Sequence, residues 1–118
     1  FVFSLPLHDD VLPLISALGE QRNSVSLVFK HDLVEFCRRT KCNQMNALEV
    51  GIAQGYTALL LSYLFRTAFA VDVRAESLDS TSRLLKDHER TNVVLIQLDA
   101  YADGWWPLRY NTINFVLI

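Results

Sequence analysis

Three acidic residues sit at the ends of three short apolar runs. Glu49 lies in Asn46-Ala47-Leu48-Glu49-Val50, Asp72 follows Ala68-Phe69-Ala70-Val71, and Asp99 ends the run from Asn92 to Leu98. Just past the first acid comes Gly51-Ile52-Ala53-Gln54-Gly55-Tyr56-Thr57. Gly51 and Gly55 let a turn pass close to a ligand with no side chain in the way. The helix expected after that turn directs its free N–H groups and positive end at the same ligand. A carboxylate, such as that of an amino acid, suits the helix end, and Glu49 can face an ammonium group directly or through water.

The spacing argues against the main competitor. A dinucleotide turn reads G-x-G-x-x-G, whereas these glycines are spaced G-x-x-x-G with no third glycine. A diphosphate is also poorly served by a carboxylate beside the turn, and Glu49 stands there. Asp72, at the end of the second run, can accept both hydroxyl hydrogens of a ribose. Asp99, at the end of the third, can accept from an adenine amino group, with Val73 and Ala100 as apolar walls to the ring. Any one of these acids alone reads as an ordinary turn residue. Three of them around one glycine turn rarely coincide by accident. Trp105-Trp106 follows Asp99 closely and reads as an apolar cover for a sheet edge or a partner contact, with an aromatic flap near the adenine as the sharper alternative.

Periodicity supplies the elements that must position these groups. A short helix is expected from His8 to Gly19, with Asp9 or Asp10 as cap and Pro13 in its first turn. A longer one covers Lys30 to Lys41, with Phe29, Leu33, Phe36 and Cys37 as its buried stripe. Asn43-Gln44 breaks that pattern. From there the chain alternates: strand Asn46 to Val50, helix Tyr56 to Phe65, strand Ala68 to Val71, helix Glu76 to Glu89, strand Asn92 to Leu98, then strand Ile113 to Ile118. In the second of these helices Leu78, Leu84 and Leu85 should face inward, and Ser77 is its expected cap. The strands are near-continuous apolar runs, as expected for a parallel sheet covered on both faces. Right-handed crossovers place all strand C-termini along one edge, where such sheets bind ligands.

Composition sets the outer bounds. The chain has 118 residues, 51% hydrophobic and 20% charged, which suits a folded domain burying roughly two-thirds of its unfolded surface. The net charge is −2, and the densest basic cluster, Arg38-Arg39-Thr40-Lys41, reads as a solvated helix end and not as a nucleic-acid footprint. Cys37 and Cys42 are too few for a disulfide scaffold or a structural zinc site, and read as free thiols in a reducing, intracellular (cytoplasmic) compartment. His8, His31 and His88 are scattered with no ligand spacing, so no metal site is expected. No apolar run approaches the ~20 residues of a membrane span. The opening Phe1-Val2-Phe3-Ser4-Leu5-Pro6 reads as an internal segment rather than a signal peptide.

The ordered set Leu48-Glu49-Val50-Gly51, Gly55-Tyr56-Thr57, Ala70-Val71-Asp72 and Gln97-Leu98-Asp99-Ala100 resembles the class I S-adenosylmethionine-dependent methyltransferases. The glycine turn looks most like that of the catechol-type small-molecule O-methyltransferases, over roughly residues 30–118. The resemblance implies an α/β fold: a Rossmann-like three-layer parallel sheet, strands ordered 3-2-1-4; the residues before it, 1–29, read as an N-terminal helical segment. It implies S-adenosyl-L-methionine as cofactor. Glu49 and the Gly51–Gly55 turn would hold the methionine part, with Thr57 closing the turn near the carboxylate. Asp72 would hold the ribose, Asp99 the adenine amine, and Val73 and Ala100 the ring. None of these residues transfers a proton, because methyl transfer in such enzymes is mostly the positioning of a nucleophile in line with an activated methyl.

The family sheet has seven strands and this chain supplies four. The expectation is therefore a truncated N-terminal half, inactive alone, with the acceptor pocket and any divalent metal ligand beyond Ile118. A small-molecule acceptor is expected, with self-association through the exposed last strand. The alternative is a non-catalytic methyltransferase-like module that serves as a structural or partner-binding subunit.

Overall fold

The structure, a computed structural model, describes residues 25–101 and 112–118. The helix expected from His8 to Gly19, most of the 1–29 segment, and Trp105-Trp106 lie outside the described residues. Helix α1 spans Leu27–Thr40. It starts three residues earlier than the periodicity suggests because Ser26 caps it, its Oγ accepting from the Phe29 N–H at 3.1 Å. It stops where Lys41 turns left-handed, at φ 54°. Arg38 and Arg39 occupy the last turn, are exposed and pair loosely with Glu35, as a solvated helix end should. The inward stripe is Lys30, Leu33, Val34 and Cys37. Phe36, expected inside, is instead 40% exposed, its ring lying 6.1 Å from that of Phe115.

A 3-10 turn at Cys42–Gln44 follows, and the cysteine expectation fails there. Cys37 and Cys42 are joined as a disulfide. The left-handed residue between helix and turn folds the chain back, bringing the two Cα atoms to 5.0 Å. The free-thiol argument for a reducing compartment falls with it.

Strand β1 is Asn46–Val50, α2 is Tyr56–Leu64, β2 is Thr67–Asp72, α3 is Ala75–Asp87, β3 is Val93–Gln97 and β4 is Phe115–Leu117. All pairings are parallel, in the order β3-β2-β1-β4, which is the expected 3-2-1-4. Strand β4 is shorter than the apolar run because its entry is fastened by side chains. Asn114 Oδ1 accepts from the Asn46 N–H at 3.0 Å, and the Asn46 amide donates to the Thr112 carbonyl at 2.9 Å. Val116 and Ile118 remain exposed.

Alternation divides the sheet into two faces. Ala47 and Ala68 pack with Leu33, Val34 and Cys37 of α1 and with Leu60, Leu61 and Leu64 of α2. Ala70 on the same face meets Ala58 of α2 and Leu78 of α3. Small side chains on the central strands let these helices approach closely. Leu48, Phe69 and Val71 form a second cluster on the opposite face. Ser77 does not cap α3; the N-cap is Arg74, without a side-chain bond, and Ser77 is buried one turn in. The buried stripe of α3 is Ser77, Thr81 and Leu85, smaller than the leucine stripe expected.

Candidate functional site

Parallel pairing puts the C-terminal ends of β1, β2 and β3 on one edge, and the chain after β1 turns there in a strained conformation. Gly51 has φ 84°, Ala53 φ 51° and Gly55 φ 95°. The two glycines need that freedom for different reasons. A Cβ on Gly51 would meet nothing within 4 Å, so the backbone there faces open space. A Cβ on Gly55 would lie 2.5 Å from Thr81 Oγ1 and 2.9 Å from Thr81 Cβ. Gly55 therefore serves the close packing of the turn on α3, and Gly51 leaves an approach from outside.

Glu49 sits on the helix-covered face, one residue before this turn. It is 5% exposed, and its Oε1 is buried with no hydrogen-bond partner. Burial pushes the carboxyl up to about 8, and the charge of Asp72 pushes the same way. Glu49 lines a cavity of about 210 Å³ with Val25, Gly51, Ile52, Thr57 and Leu117. Thr57 is buried in the first turn of α2, at the positive end of that helix.

Asp72 is used more fully than its position suggests. Its Oδ2 accepts from the Ile52 N–H and its Oδ1 from the Arg74 N–H, each at 2.9 Å. Burial alone would raise its pKa, but the N–H groups of Arg74, Ile52 and Ala53 and the Arg74 charge outweigh it, holding the carboxyl below its ordinary value. Asp72 thus staples the glycine turn to the end of β2. A carboxylate has about four lone-pair positions, so acceptor capacity remains for a ligand.

A second cavity, about 150 Å³, lies on the other side of the turn and brings Gly51 together with Asp72, Val73, Asp99, Ala100 and Tyr101. Asp99 is exposed, and its Oδ1 accepts from the Tyr101 N–H at 2.9 Å, which shapes the loop start. Gln97 Nε2 donates to the Val73 carbonyl at 3.0 Å and tethers the wall residue.

The eight residues singled out by sequence thus fall around one turn, Glu49 and Thr57 in one cavity and Asp72, Val73, Asp99 and Ala100 in the next, with Gly51 shared. Gly55 stands apart as a packing residue. Sequence reasoning missed Arg74 and Thr81. Arg74 carried a signal, since Asp72-Val73-Arg74 is the spacing of a side-chain turn. Thr81 carried only its place in the Ser77-Thr81-Leu85 series. Among the described residues no group of three or more His, Cys, Asp or Glu side chains could hold a metal, and no helix is long and apolar enough to cross a membrane.

No protein-family model and no curated protein matches the chain. Solved structures do. An rRNA methylase from Streptococcus thermophilus superposes with a TM-score of 0.63 at 21% identity, over 81% of this chain and 55% of the other. Protein-L-isoaspartate O-methyltransferase gives 0.60 at 17%, over 84% and 31%. SMU.1697c from Streptococcus mutans, in complex with SAH, gives 0.52 at 23%, over 63% and 41%. At these identities the likeness is one of fold: the chain has the Rossmann-like α/β fold of the class I S-adenosylmethionine-dependent methyltransferases. It spans between about a third and a little over half the length of these three structures.

Proposed function

We propose that this chain forms the S-adenosyl-L-methionine site of a methyltransferase, with a small molecule as methyl acceptor. The observation that carries the reading is Glu49: a buried carboxyl with an unpartnered oxygen, beneath a glycine turn open to the outside. An unpartnered buried carboxyl costs stability, and a cationic ligand group offsets that cost. In this reading Glu49 receives the ammonium of the methionine part, and the first N–H groups of α2, with Thr57, receive its carboxylate. Asp72 keeps the turn in place and accepts from the ribose hydroxyls. Asp99 receives the adenine amine, between Val73 and Ala100. When bound, the cofactor supplies an activated methyl on a sulfonium; the chain's own residues hold and orient it.

The neighbouring structures include an rRNA methylase and a protein methyltransferase, so the fold itself does not select an acceptor class. The net charge of −2 and the absence of a basic block in the sequence favour a small molecule over a polyanion.

Calorimetry with S-adenosylhomocysteine tests the cofactor reading. The protein should bind it, and Gly51→Val should abolish binding while circular dichroism shows the fold retained, because the added side chain enters space the ligand needs and strains a turn residue held at φ 84°. Equal affinity in a folded Gly51→Val protein rejects this geometry. An absence of binding in the unaltered protein favours the non-catalytic module.

A further inference from the structure

The environment of Glu49 has a consequence for how the site loads. Its carboxyl is nearly sealed from solvent and has one oxygen without a donor. Of the elements packed around it, β2 presents Asp72, whose charge repels a second negative charge. From α2 comes Thr57 and from β4 Leu117, neither carrying a charge. Helix α1 carries Lys30 buried on its inward stripe.

We propose that the site takes up the ammonium end of its ligand by exchanging it for a proton held on Glu49. This inference rests on the cofactor reading and deepens it. In the ligand-free protein the carboxyl is protonated. When the ammonium group arrives, the O–H bond of Glu49 breaks, the proton leaves to solvent, and the carboxylate pairs with the cation; charge and atoms balance with water or buffer as proton acceptor. The upward displacement of the carboxyl to about 8 agrees with this, since near neutral pH the protonated form then dominates. Glu49 thereby selects for charge as well as shape: an analogue with a hydroxyl in place of the amine cannot drive the exchange.

The test is calorimetric titration of the protein with S-adenosylhomocysteine at pH 7 in two buffers of different ionisation enthalpy. Observed heat plotted against buffer enthalpy should give close to one proton released per ligand, and Kd should improve by up to about tenfold between pH 6 and pH 7. The Glu49→Gln protein should bind more weakly and release no proton, which assigns the proton to this residue. Binding with zero proton release in the unaltered protein overturns the exchange while leaving the cofactor reading standing. Equal release in Glu49→Gln also overturns it. No binding at any pH overturns both.

Discussion

At the edge where the strands begin, polar side chains close off backbone groups that the helices leave open. Asn92 Nδ2 lies within hydrogen-bond distance of the carbonyls of Ser62 (2.8 Å), Phe65 (3.1 Å) and Arg66 (3.2 Å), where α2 ends. Arg90 reinforces the same spot, donating to Ser62 Oγ and to the Ser62 carbonyl while its guanidinium lies 4.1 Å over the Tyr63 ring. Arg66 Nε donates to Asn46 Oδ1 at 3.3 Å. Only Asn92 Oδ1 in this network is buried without a partner. At the opposite edge, Glu49 Oε1 and Thr81 Oγ1 are both buried without partners, and the turn between them holds three residues at positive φ. One edge carries stability; at the other the unpartnered Glu49 oxygen belongs to a cavity lining, while Thr81 is packed behind the turn against Gly55. The Glu49 carboxyl at the second edge is therefore the place for a ligand group, and the arginines at the first are fasteners.

The sharpest way to break this comparison is to damage the fastened edge. Asn92→Ala should cost about 2–3 kcal/mol, because the part-buried Phe65 carbonyl loses this donor and the Ser62 carbonyl is left with Arg90 alone. Denaturant unfolding should show a lower midpoint with an unchanged slope. Affinity for S-adenosylhomocysteine, measured well below that midpoint, should stay within twofold. A large loss of affinity would mean that the two edges are coupled and that the division is wrong.

A smaller effect is expected at the packing glycine. Gly55→Ala places a Cβ against Thr81 at a positive φ, for a cost of about 2 kcal/mol. The cause can be separated by a double-mutant cycle. Thr81→Ala alone should cost little, because it removes an unpartnered hydroxyl along with a methyl. Combined with Gly55→Ala it should recover part of the loss, leaving the cost of the positive φ and of the close approach to the Cβ of residue 81, which the substitution retains. Strict additivity would show that contact with the Thr81 hydroxyl and methyl is not the reason for the glycine.

Much of this arrangement was legible in the residues, and the misses have physical causes. Strand β1 was placed at its true bounds because Asn43-Gln44 and Gly51 punctuate a short apolar run on either side. The parallel sheet followed from strand–helix alternation, and its 3-2-1-4 order from the family resemblance. The disulfide was invisible because it depends on one left-handed residue, Lys41, a conformation that composition does not announce. Periodicity puts Phe36 in the stripe of α1 and leaves out Val34 because both are apolar, and only packing against α2 decides which turns inward. The second use of Asp72 escaped because its partner Ile52 is twenty positions away, joined only when β1 and β2 pair.

Asp72 supplies the finest test, since it belongs to both descriptions, staple and ligand acceptor. Asp72→Asn keeps one acceptor oxygen and replaces the other with a donor that faces a backbone N–H. It should cost about 1.5 kcal/mol at pH 7, less than either change above, because one oxygen's bond is lost and the bonds that remain are made by a neutral amide without charge assistance. The pH dependence gives the sign. The folded carboxyl titrates below its ordinary value, so its contribution is complete above the unfolded pKa, near 4, and is lost as pH falls through the folded value. Unfolding midpoints of the unaltered protein should therefore fall on acidification from about pH 4 downward, while those of Asp72→Asn fall less over the same range. Affinity for S-adenosylhomocysteine should drop in the variant at pH 7, where both proteins are folded. If stability changes as described and affinity does not, Asp72 is a staple only, and the ribose must find its acceptor elsewhere on this edge.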